Sequence, residues 1–84
     1  MLAGTRGAPS RASIVRLLEI SPRNANQLAE ELGMDYSTVK HHLDVLERSG
    51  VVFPSSEPYG RTYHLTPRMR DMLPLMDEWR AGHA

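Results

Sequence analysis

The chain has 84 residues, with ten basic and ten acidic side chains, four histidines and no net charge. Hydrophobic residues make up 40% and charged residues 24%, a globular balance that excludes collagen-like and wholly disordered chains. The absence of cysteine excludes disulfide scaffolds, thiolate metal sites and cysteine nucleophiles, and no apolar run approaches the ~20 residues of a membrane span.

Charge is segregated along the chain. Arg6, Arg11 and Arg16 precede the first acid, Glu19, and the segment Tyr36 to His42 holds Lys40, His41 and His42 with no acid. A basic face is therefore possible at zero net charge. Residues 1–9 are small and aperiodic, predicting a flexible N-terminal arm without the hydrophobic segment of a secretory signal. A cytoplasmic location is the expectation.

Ser10 is placed to cap a first helix over 11–20, with Ile14, Leu17 and Leu18 at helical spacing and Ser21-Pro22 as its stop. Asn24, with Gln27 three residues on, has the form of a capping box for a second helix over 25–32, ended by Gly33. Only Gly33 and Met34 separate it from the next cap, Asp35. Val39, His42, Leu43 and Leu46 then repeat as the apolar face of a third helix over 36–49, ended by Gly50. On that face His42 reads as a packed histidine bonded to a backbone carbonyl, in preference to a ligand or a base.

Val51 to Phe53 and Arg61 to Leu65 read as two strands joined by a turn-forming tip, Ser55 to Gly60, with Pro54 closing the first. Thr66-Pro67 opens a last helix in which Met69, Met72, Leu73, Met76 and Trp79 recur at helical spacing. Pro74 should kink or split it, and residues 81–84 should fray.

Two helices across a short Gly-containing turn, followed at once by a hairpin, make a winged helix-turn-helix: mainly α with a small β-hairpin, comprising a three-helix core, a two-stranded wing and a C-terminal helix. The stretch Asn26-Gln-Leu-Ala-Glu-Glu-Leu-Gly-Met-Asp-Tyr-Ser-Thr-Val-Lys-His-His-Leu-Asp-Val-Leu-Glu-Arg-Ser-Gly-Val-Val52 resembles the core of ArsR-like winged-helix transcription regulators. The resemblance covers residues 10–79. It implies cytoplasmic DNA binding and a C-terminal helix used for dimerisation. Metal-sensing members carry a cysteine pair on the recognition helix or His, Asp and Glu ligands on the C-terminal helices. With no cysteine, and only Asp77, Glu78 and His83 near the end, metal sensing is not carried over.

The domain reading is thus an arm (1–9), a DNA-binding domain (10–66) and a dimerisation helix with its tail (67–84). If Val39, Leu43 and Leu46 face the core, then Tyr36, Ser37, Thr38, Lys40 and His41 can enter a major groove from the N-terminal end of the third helix. Arg61 and Tyr59 of the wing, residues 54–61, and Arg11 of the first helix are candidates for the phosphate backbone. Glu57 should point away from it. Met69, Met72, Leu73, Met76 and Trp79 exceed what a small core needs, so the expected partners are a second copy of this chain and double-stranded DNA. No cofactor, metal or small-molecule effector is evident. The alternative is a winged-helix module that binds protein without reading DNA. An enzyme is not expected, because no phosphate loop, HExxH spacing or nucleophile elbow is present.

Overall fold

The computed structural model describes residues 8–83, and the side chains of 10–78 and 82 among them. In chain order the elements are α1 (Ala8–Ile20), β1 (Arg23–Asn24), α2 (Ala25–Leu32), α3 (Tyr36–Arg48), β2 (Val52–Pro54), β3 (Thr62–Leu65) and α4 (Pro67–His83). The arm expected over 1–9 lies outside the described residues as far as residue 7. From Ala8 the chain is already helical, so Ser10 sits in the first turn of α1 and does not cap it. Pro9 fits there because the first amides of a helix have no intrahelical acceptor.

The capping box of α2 is present. Asn24 Oδ1 accepts from the Gln27 amide at 2.8 Å, and the Asn24 amide donates to Gln27 Oε1 at 2.9 Å. Gly33 ends the helix at φ 63°, and the Met34 amide returns to the Ala29 carbonyl at 2.9 Å, which satisfies an otherwise orphaned acceptor. Asp35 starts α3 from an extended backbone, but its carboxylate makes no capping bond. Thr66 does cap α4: its hydroxyl accepts from the Met69 amide at 3.2 Å while donating to the Gly50 carbonyl at 2.8 Å.

The expected two-stranded wing is a three-stranded antiparallel sheet in the order β1-β3-β2. β1 is the addition, with Arg23 opposite Tyr63 and Asn24 opposite Thr62. An N-cap residue already has extended backbone angles, so Asn24 joins the sheet without a further conformational cost. Ile14, Leu18, Leu28, Val39, Leu43, Val52 and Leu65 are fully buried, and Tyr63 and Leu73 complete the core between the helices and one face of the sheet. On the other face Phe53 stacks on His64, with centroids 5.2 Å apart.

The last helix passes through Pro74 as one element and is not split. Pro74 and Arg70 both lie on the exposed side, where water can bond the Arg70 carbonyl that proline leaves without a donor. The helix extends to His83, beyond the expected fraying point. Among the described residues no helix is long and apolar enough to cross a membrane.

Candidate nucleic-acid interface

The N-terminal ends of α2 and α3 open onto the same space. The antiparallel sheet brings the wing tip up to the same place. Together they frame a cleft of about 300 Å³. Asn24, Ala25 and Asn26 line it from the start of α2, Tyr36 and Lys40 from α3, Tyr63 from β3, and Pro58, Gly60 and Arg61 from the wing.

Three of the residues singled out from the sequence, Tyr36, Lys40 and Arg61, therefore meet at one site. Tyr36 is half exposed and Arg61 exposed. The Arg61 Nε donates to the Glu57 carbonyl at 2.7 Å, which closes the wing tip from within. The Glu57 carboxylate accepts from the Ser55 hydroxyl, and that hydroxyl in turn accepts from the Thr62 amide. Tyr59 is 90% exposed at the tip. Ser37, Thr38 and His41 lie exposed on α3 but outside the cleft.

Lys40 departs from the simple picture of a solvated outer face. It is partly buried, and its Nζ donates to the Tyr63 hydroxyl at 3.0 Å. That bond, the largest influence on it, raises the Lys40 pKa above its ordinary value against a smaller effect of burial. Farther along α3, Asp44 and Glu47 are exposed beside Arg48, so the acid-free part of the helix is its first half.

Three further cations, Arg11, Arg16 and Arg23, are engaged away from the cleft. Arg16 pairs with Asp77 of α4 and with Glu19, and Arg23 with Glu31. Arg11 lies away from the cleft and donates to Nδ1 of His42 at 3.3 Å. His42 is buried as expected, but its partner is that guanidinium and not a backbone carbonyl.

Asn24, Asn26 and Tyr63 were missed by the sequence reading. The alternation in 61–65 that buries Leu65 also turns Tyr63 inward, which was a usable signal. Nothing local to 24–26 foretold their closeness to the wing.

The described C-terminal side chains divide. Leu73 is 4% exposed and Met69 packs against the same core, so these two serve the chain's own interior. Met72 and Met76 are exposed, together with Leu75, which the stripe omitted. The Trp79 side chain lies outside the described residues. Ile20 at the end of α1 is 75% exposed beside a shallow depression that Ala12, Leu17 and Leu32 also line.

Residues 8–52, more than half of the chain, match the family described as "Bacterial regulatory protein, arsR family". The chain belongs to this family. A relative in Methanocaldococcus jannaschii, an uncharacterized HTH-type transcriptional regulator, is 30% identical over 74 residues, spanning 86% of this chain and 83% of the relative. A solved structure titled a possible transcriptional regulator for arsenical resistance is 32% identical with a TM-score of 0.70, covering 87% of this chain and 78% of its own. The fold is also that of a winged helix-turn-helix DNA-binding domain from Mycobacterium bovis, described as homodimeric. That match has a TM-score of 0.79 and 23% identity, over 87% of this chain and 68% of the other. As an arsR-family winged helix-turn-helix protein, the chain is a transcriptional regulator.

Proposed function

We propose that this arsR-family regulator binds double-stranded DNA sequence-specifically as a homodimer. The N-terminal half of α3 lies in the major groove and the wing, about residues 54–61, lies on the adjoining backbone. The observation that carries this reading is the meeting of Tyr36 and Lys40 of α3 with Arg61 of the wing around one cleft. Those groups suit phosphate and base edges. Ser37, Thr38 and His41 reach the base edges, and Tyr59 extends the wing contact. Arg11 contacts phosphate from α1 through the guanidinium N–H groups that His42 does not take.

The homodimer is supported by the exposed apolar groups Met72, Leu75 and Met76 on α4 and Ile20 on α1, and by the homodimeric state named for the Mycobacterium bovis domain. A second copy would cover these groups and present two recognition helices ~34 Å apart, about one duplex turn, to a palindromic site.

The test is selection of duplexes from a random library by the full chain, followed by a salt titration of the best duplex. Enrichment of an inverted repeat, with log affinity falling steeply against log salt, is expected. No enrichment, or a shallow slope, would favour the protein-binding alternative.

A further inference from the structure

Tyr63 is the second of the four residues of β3, the central strand. It pairs with Arg23 of β1 on one side and Pro54 of β2 on the other, and only 4% of it is exposed. Its phenol cannot swing without disturbing the sheet. The hydroxyl nevertheless reaches the cleft, where it accepts a hydrogen bond from Lys40 Nζ at 3.0 Å, and the ammonium stands 5.6 Å from the ring centroid.

This partner has a particular chemical quality. A carboxylate in its place would fix the lysine and cancel its charge. A phenol fixes it and leaves the charge whole, since a neutral hydroxyl accepts a hydrogen bond from one of the three ammonium N–H groups and offers its own O–H as a further donor. Among the described residues Lys40 makes no ion pair with an acid. Two of its N–H groups remain for a ligand. A lysine on an open helix face samples many rotamers and loses that freedom on binding; a lysine already held loses less.

We infer that Tyr63 is a positioning residue for DNA recognition, holding the Lys40 ammonium at the cleft so that it meets the duplex in a fixed place. This rests on the DNA-binding reading above. It assigns to a buried wing residue part of the specificity of the recognition helix, without any contact between Tyr63 and base.

The experiment is a double-mutant cycle of Tyr63→Phe and Lys40→Met in the full chain, on the duplex that the wild type selects. Tyr63→Phe keeps every charge, so the salt slope should stay at its wild-type value. Affinity should fall about three- to tenfold, the range expected when one long side chain must be ordered on binding. Preference at one base position should flatten, and in the Lys40→Met background Tyr63→Phe should add nothing. A readout without DNA accompanies it: 15N relaxation of the Lys40 ammonium should show restricted motion in the wild type and free motion in Tyr63→Phe. Equal affinity and base preference in Tyr63→Phe and wild type would overturn the inference alone, as would additive losses or an equally mobile ammonium in both. A wild type that selects no duplex would overturn the DNA reading, and this inference with it.

Discussion

Arg11 on α1 donates from Nη1 to Nδ1 of His42, 3.3 Å away on the inner side of α3. A guanidinium can only donate, so the bond requires an unprotonated Nδ1 and hence a neutral imidazole. Burial first, then the Arg11 charge and the adjacent His41, push the His42 pKa below its ordinary value of 6.5. As pH falls, the unfolded chain therefore takes up this proton before the folded one. The contribution of His42 to stability is whole above about pH 6.5 and is lost as pH falls through the folded value. Urea midpoints measured from about pH 8 to 5 should decline below about 6.5, with a slope from this one proton no greater than about 1.4 kcal/mol per pH unit. His42→Phe should remove that part of the slope. Parallel pH curves for variant and wild type would count against a neutral His42.

The wing cation makes a different kind of prediction. Arg61 Nε is tied to the Glu57 carbonyl, yet the residue is exposed at the edge of the cleft. A phosphate contact from such a group is blind to sequence. Arg61→Ala should weaken selected and scrambled duplexes by a similar factor and lower the salt slope by about 1. A loss confined to the selected duplex would show that Arg61 reads a base.

The order of elements was legible because each end carries local chemistry. Asn24 with Gln27, Gly33, Gly50 and Thr66-Pro67 act within a few residues, and all four features lie at or beside element ends in the fold. β1 was not legible, since two residues carry no periodicity and their pairing with Tyr63 and Thr62 spans some forty positions of chain. Spacing also gave the stripe on α4 but not its division. Leu73 faces the core while Met72 and Met76 do not, which depends on where α1 and the sheet lie. At the cleft, the exposed Tyr36 and Arg61 were found by residue type and position. The bond that fixes Lys40 was not, because it joins a helix to a strand 23 residues later.

The turn between α2 and α3 should be sensitive to conformation and not to crowding. Gly33 has φ 63°, and a Cβ added there would meet nothing within 4 Å. The cost of Gly33→Ala is then the left-handed backbone alone, about 1–2 kcal/mol. Gly33→Asn should cost less, because asparagine tolerates that region. Chemical denaturation of both variants should rank them wild type, Asn, Ala. An equal loss for both would mean that the side chain obstructs the turn.

Two neighbours on α4 separate interior packing from association. Leu73 is 4% exposed and Leu75 65% exposed within one chain. Leu73→Ala opens a cavity in the core and should cost about 2–5 kcal/mol of folding stability at any protein concentration. Leu75→Lys removes nothing that the single chain buries. If a second copy covers this face, Leu75→Lys places a charge in an apolar interface, and sedimentation should show the population shifting to monomer. Its denaturation midpoint should lose the concentration dependence that a folded dimer has. Binding to an inverted repeat should then weaken more than binding to a half-site, because two recognition helices no longer act together. A Leu75→Lys protein with wild-type sedimentation and wild-type operator affinity would place the second copy on another face.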